Sequence, residues 1–112
     1  MNRLPRPFGY PVELSLELLG GKWKAVVLAR LKDGPLRYGE LRRLIPQLSD
    51  KVLTERLADL RQAGLIAPGG GKRGDGYRLS ARGESLRPVL QALYDWGEAR
   101  ALELQVAVGQ GP

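Results

Sequence analysis

The 112-residue sequence contains no cysteine and no histidine. Disulfides, thiol redox chemistry, Cys/His metal sites and every nucleophile or base scheme built on those side chains are excluded. No paired-carboxylate or nucleophile motif built on Asp, Glu, Lys, Tyr or Ser takes their place, so an enzyme, a cofactor and a metal are not expected. No segment approaches the ~20 apolar residues of a membrane span. The first eleven residues are broken by Pro5, Pro7 and Pro11 and hold no apolar run, so a signal peptide is not expected. A chain without cysteine fits a cytoplasmic location, which is the expectation. There is no internal repeat.

Acidic residues are also in short supply. Eighteen Lys and Arg face twelve Asp and Glu, a net charge of +6. Such a balance favours polyanion partners through counterion release, although a merely soluble cationic surface has the same charge. Hydrophobic residues make up 43%, too many for a disordered chain. The length suits one domain with a thin core, which a second copy would help to stabilise.

Residues 1–10 are proline-rich and basic and read as an irregular arm. A first helix starts at Pro11 or Val12, because proline suits a first helical position. Its residues Val12, Leu14, Leu16, Leu18 and Leu19 are apolar on more than one face, as in a helix that meets a partner. Gly20-Gly21 breaks it. A second helix runs from about Lys22 to Leu31 and ends at Lys32-Asp33-Gly34-Pro35. Leu36 and Arg37 suggest a short strand. A third helix covers roughly Tyr38 to Ile45, with Leu41, Leu44 and Ile45 inward and Arg42 and Arg43 outward, and Pro46 ends it.

The fourth helix opens at the N-cap Ser49, with Asp50 in its first turn. Leu53, Leu57 and Leu60 recur at spacings of four and three and line one face. At ~100° per residue, the opposite face carries Lys51, Thr54, Glu55, Ala58 and Gln62. An ordinary solvated face has this composition too; the helix before it and the hairpin after it favour a recognition helix. Gly64 is a natural C′ residue. Leu65 to Pro68 and Tyr77 to Leu79 then pair as a hairpin with a glycine-rich tip charged by Lys72 and Arg73. That tip has no GxxxxGK[ST] match and does not lead into a helix, so a P-loop is discounted. A last helix opens at the N-cap Ser80 and runs to about Leu104, with Pro88 kinking or restarting it. Its apolar stripe is Leu86, Val89, Leu90, Leu93, Trp96 and Gly97. So long a helix on a small domain suggests packing against another subunit; the alternative is that it folds back on its own core. Residues 105–112 end in Gly-Gln-Gly-Pro and read as a frayed tail.

Helix, turn, helix, strand, basic tip, strand is the order of a winged helix-turn-helix. Such a unit places one helix in a DNA major groove and a loop on the flanking backbone. The expected fold is therefore mainly α with a small β-hairpin wing.

The sequence resembles the HxlR-type winged helix regulators of bacteria and archaea. The resemblance rests on an ordered series: Tyr10-Pro11-Val12; Gly20-Gly21-Lys22-Trp23; Gly34-Pro35-Leu36-Arg37-Tyr38 with Glu40-Leu41; Ile45-Pro46; Ser49 with Lys51; Leu53-Thr54 with Arg56-Leu57; and Leu60 with Gly64-Leu65-Ile66. Tyr77-Arg78-Leu79-Ser80, Gly83, Leu86-Arg87-Pro88-Val89-Leu90, Leu93 and Trp96-Gly97 extend it, so that it covers about residues 10 to 98. It implies a DNA-binding transcriptional regulator, and a homodimer joined through the first and last helices. Carried onto this chain, the DNA-reading helix is Ser49 to Ala63, the wing about Ala67 to Tyr77, and the dimerisation helix about 81–104, within a domain of residues 11–104. Two departures stand out. Many members carry a cysteine where this chain has Tyr10, so thiol sensing is not carried over. The wing lacks the family's usual paired prolines and Val-Glu, and is shorter.

The resulting expectation is a dimeric, sequence-specific DNA-binding regulator that acts as a repressor on a near-palindromic operator of double-stranded DNA. Arg37, Tyr38, Arg42, Arg43, Lys72 and Arg73 contact phosphates; Ser49, Lys51, Thr54 and Glu55 sit at or in the major groove. Arg56, on the flank, takes a phosphate contact or a structural ion pair. The expected dimer interface is Val12, Leu16, Leu19, Leu86, Leu90, Leu93, Trp96 and Gly97. A small-molecule effector is left open, with Trp23 and Trp96 as candidate pocket walls against the commoner role of aromatics in a core. The rival readings are a sequence-neutral architectural DNA binder and a winged-helix protein-interaction module. Glu55 and Asp59 on the fourth helix argue against the first, and the basic wing and third helix against the second.

Overall fold

The computed structural model describes residues 9–70 and 74–109. The element order is α1 (Pro11–Leu19), α2 (Lys22–Leu31), α3 (Tyr38–Leu44), α4 (Asp50–Gln62), β1 (Ile66–Pro68), β2 (Tyr77–Leu79), α5 (Ala81–Glu84) and α6 (Arg87–Leu104). α2 is the pillar of the fold, with α3, α4, α6 and β2 packed around it. Val27, Leu28 and Leu31 of α2 meet Leu41, Ile45, Leu48, Leu53, Leu57, Leu60, Leu65, Ile66, Leu79 and Leu90 in one core. α1 buries none of its residues.

α4 begins and ends as its sequence dictates. The Ser49 hydroxyl accepts the Val52 amide at 3.1 Å, satisfying one of the free N–H groups of the first turn. Its C-terminus closes in a Schellman motif on Gly64, whose φ of 75° suits glycine. The Gly64 amide donates to the Arg61 carbonyl and the Leu65 amide to the Leu60 carbonyl, each at 3.0 Å. Leu65 is thereby spent on the helix end, and the first strand starts at Ile66 rather than at Leu65.

The hairpin is antiparallel, with Ile66 opposite Leu79, Ala67 opposite Arg78 and Pro68 opposite Tyr77. The short strand expected at Leu36 and Arg37 is reduced to a single bridge between Leu36 and Tyr77, because the chain turns into α3 at Tyr38. α3 itself stops at Leu44, one residue short of expectation. Ile45 leaves helical geometry at φ −128°, ψ 66°, as a residue before proline must.

The single last helix expected over about 81–104 is two. α5 closes at Glu84, and α6 starts at Arg87 with Pro88 in its first turn. Proline has no amide to bond back to the carbonyl four residues earlier, and its ring collides there, so the chain turns and begins again.

Candidate nucleic-acid interface

The inward leucines of α4 fix which side of it faces out. With Leu53, Leu57 and Leu60 in the core, Lys51, Thr54, Glu55, Ala58 and Gln62 are exposed together on the opposite face. Ser49 sits at its start, also exposed. Arg56 is half-buried on the flank and pairs with Asp59 at 3.2 Å and with Glu55 at 3.7 Å. Its charge is thus engaged within the helix.

The cations of α3 divide into two kinds. Arg43 points into solvent, and neither it nor Lys51 carries a salt bridge among the described residues. Arg37 caps α3 and interacts with Glu40 through its backbone amide at 2.8 Å and its side-chain Nε at 3.4 Å. The Glu40 carboxyl is held below the usual carboxylate range, first by that backbone N–H and then by the Arg37 charge. Tyr38 and Arg42 both turn to Asp50 at the start of α4. The Tyr38 hydroxyl donates to its carboxylate at 2.7 Å, and the Arg42 Nε donates at 2.8 Å.

The wing root is set by close backbone approaches. The Gly69 amide donates to the Gly76 carbonyl at 2.6 Å, and a Cβ on Gly76 would lie 2.9 Å from the Leu36 carbonyl oxygen. Lys72 and Arg73 lie outside the described residues. Arg78 is a basic wing residue that sequence reading left aside. It occupies the outward face of β2, between the half-buried Tyr77 and the buried Leu79. The alternation in Tyr77-Arg78-Leu79 was the available signal.

Apolar side chains are also exposed on α1 and on α6. Val12, Leu16, Val89, Leu93 and Trp96 are exposed, with Leu93 at 54% and Trp96 at 65%. Gly97 is exposed beside them. Leu90 is corrected out of the expected interface: at 1% exposure it is part of this chain's own core. Leu19 and Leu86 are half-buried against that same core, which leaves little of either to a partner. The two tryptophans do not frame one pocket. Trp23 packs on the core, whereas Trp96 lines an open apolar depression with Pro88, Val89, Ala92 and Leu93. The Arg100 guanidinium stacks on the Trp96 ring at 5.2 Å.

No group of metal-ligating side chains occurs among the described residues, and none of their helices is long and apolar enough to cross a membrane.

Comparison with known proteins agrees with this geometry. The profile of HxlR-like helix-turn-helix proteins matches residues 18–104. An HTH-type transcriptional regulator of Methanothermobacter thermautotrophicus is 42% identical over 91 residues, 78% of this chain and 69% of that one. The regulator YdzF of Bacillus subtilis is 38% identical over 104 residues, covering 89% of this chain and 95% of its own. Among solved structures, the redox regulator HypR in its oxidised form superposes with a TM-score of 0.73 at 31% identity, covering 80% of this chain and 96% of that one. Quinone-bound YodB of B. subtilis gives 0.67 at 30% identity, covering 82% and 99%. A fold of helices around a two-stranded wing, the outward face of α4 and this match over most of its length place the chain in the HxlR-like helix-turn-helix family of DNA-binding transcriptional regulators.

Proposed function

We propose that the protein is a homodimeric repressor that reads a near-palindromic operator, with α4 of each subunit in the major groove. The observation that carries this reading is the exposed face of α4, where Lys51, Thr54 and Glu55 stand clear of the core, with Arg43 of α3 exposed as well. The exposed apolar residues Val89, Leu93 and Trp96 on α6, and Val12 and Leu16 on α1, support self-association, since exposed apolar patches mark interaction sites. Two-fold symmetry then sets half-sites about one helical turn apart, ~34–36 Å. Arg43 and the wing cations bind phosphates and fix register, while Ser49, Lys51, Thr54 and Glu55 meet base edges. Any effector works without a thiol, because the sequence has no cysteine.

Affinity selection from fragmented genomic DNA of the source organism, at physiological salt with excess competitor, tests the proposal. An enriched near-palindromic site supports it, and a reporter driven from that site gives the sign of regulation. Binding without enrichment replaces it with sequence-neutral architectural binding, and no binding replaces it with a protein-interaction role.

Lys51→Ala is expected to weaken operator binding and to lose about 1–3 kcal/mol of discrimination at one base position. Titration against single-base operator variants reads this directly. An equal loss on every variant reduces Lys51 to a phosphate contact.

A further inference from the structure

The turn between α3 and α4 holds a polar clamp that the proposed reading of DNA does not require. One carboxylate oxygen of Asp50 accepts both the Tyr38 hydroxyl, at 2.7 Å, and the Arg42 Nε, at 2.8 Å. The same guanidinium donates through Nη1 to the Leu48 carbonyl. The Tyr38 hydroxyl lies 3.3 Å from the Asp50 carbonyl as well. Leu48 and Asp50 flank Ser49, the cap of α4. Donors from α3 thus grip both sides of the point where α4 begins.

We propose that Tyr38 and Arg42 are positioning residues that set α4 against α3 through Asp50, and so fix how Lys51, Thr54 and Glu55 meet base edges, rather than phosphate ligands. This rests on the proposed reading of DNA by α4. Three features carry it. First, α3 and α4 pack chiefly on α2 and little on each other, so the clamp is their direct polar link. Second, a guanidinium is a rigid planar fork. With Nε on Asp50 and Nη1 on Leu48, turning the fork as a whole toward a phosphate would release the start of α4. Third, the Asp50 side chain is 75% exposed, so its negative charge stands where a phosphate would approach Arg42 and disfavours one there. The Asp50 carboxyl is held below the usual carboxylate range, first by the Tyr38 hydroxyl and then by Arg42. The clamp therefore stays charged through neutral pH and is lost only as pH falls through that depressed value. Base contacts tolerate displacements of only about 0.5 Å, so such a support matters to specificity more than to affinity.

Arg43 is the internal control, on the same helix, exposed and without a salt bridge among the described residues. Salt titrations on a random-sequence duplex are expected to separate the two arginines. Arg43→Ala lowers the salt slope by about one unit, whereas Arg42→Ala leaves it near that of the wild type. Selection from a randomised duplex pool reads base preference. Tyr38→Phe and Asp50→Ala, which remove the donor and the acceptor of the clamp, each flatten the preference by roughly tenfold. The double variant is expected to be little worse than either, because both changes open one clamp. Thermal unfolding of the same variants should show little change, which separates loss of positioning from loss of fold. A slope drop of one unit for Arg42→Ala makes it a phosphate ligand and overturns the inference, as does full base preference in Tyr38→Phe and Asp50→Ala. A wild-type protein without base preference overturns the specific-regulator reading instead, and the two slopes still decide what Arg42 does. A wild type that binds neither duplex overturns both.

Discussion

Leu93→Asp is expected to leave each chain folded, to convert the protein to monomers, and to weaken binding to a two-half-site operator by on the order of 100-fold or more. The fold survives because Leu93 is already 54% exposed in the single chain, while α6 anchors itself through Leu90 at 1% and Ala101 at 9%. The association fails because an aspartate at the centre of the exposed face formed by Val89, Leu93 and Trp96 would have to be buried without a partner. DNA binding suffers out of proportion to any lost contact. A dimer engages its second half-site intramolecularly, and that linkage alone is worth about 10²–10⁴ in affinity. Leu102→Asp is the matched control. Nine residues at ~100° each place Leu102 on the opposite side of α6 from Leu93, and it is 80% exposed. Sedimentation of both variants, with titration on one and on two half-sites, checks the expectation. The Leu93 variant should bind a single half-site like the wild type. A Leu93→Asp protein that sediments as a dimer would move the interface elsewhere.

What the sequence announced was mostly punctuation and narrow stripes. α2 falls between Gly21 and the Lys32-Asp33-Gly34-Pro35 stop, and its bounds were legible from those residues. The outward face of α4 was legible because its leucines occupy one narrow stripe, leaving only one opposite side. α6 was not so clear. Leu86, Val89, Leu90, Leu93 and Trp96 make a stripe wide enough to serve two surfaces, and periodicity does not say which edge the core takes. Tertiary packing assigns Leu90 inward and leaves Val89, Leu93 and Trp96 outward. The restart at Pro88 was one of two readings of the same proline, and α5 is decided by its seat on the hairpin. The Tyr38–Arg42–Asp50 clamp was out of reach. Its partners lie eight and twelve residues apart, and only the turn between two helices brings them together. The outward arginines of α3 looked alike in sequence, yet one is gripped by the start of α4 and the other is exposed to solvent.

That seat makes Gly83 the position where one methyl group is expected to cost most. Gly83→Ala should destabilise the fold by about 1–3 kcal/mol or more, as overpacked cores do. Its backbone is helical, so no conformational strain enters; the obstacle is space. An added Cβ would lie 2.1 Å from the Leu65 carbonyl oxygen and 3.3 Å from the Leu79 Cβ. The first is backbone, and it is tied in place. The Leu65 carbonyl accepts the Ser80 amide at 3.1 Å. The Ser80 hydroxyl donates to the Gly64 carbonyl at 2.6 Å and accepts the Gly83 amide at 3.0 Å. Relieving the collision therefore means opening the junction of the α4 end, the hairpin and α5 together. Gly97→Ala gives the contrast. Within the single chain, beyond its neighbours and its own helix backbone, no heavy atom lies within 4 Å of the point its new methyl group would occupy, and the helix gains roughly 1 kcal/mol in propensity. Thermal unfolding should place the Gly83 variant several degrees below the wild type, at about 4–8 °C per kcal/mol for a domain near this size, and the Gly97 variant at or above it. Equal stability for Gly83→Ala would mean that α5 slides freely on the hairpin. The Ser80 bonds would then play no part in holding the hairpin to the end of α4.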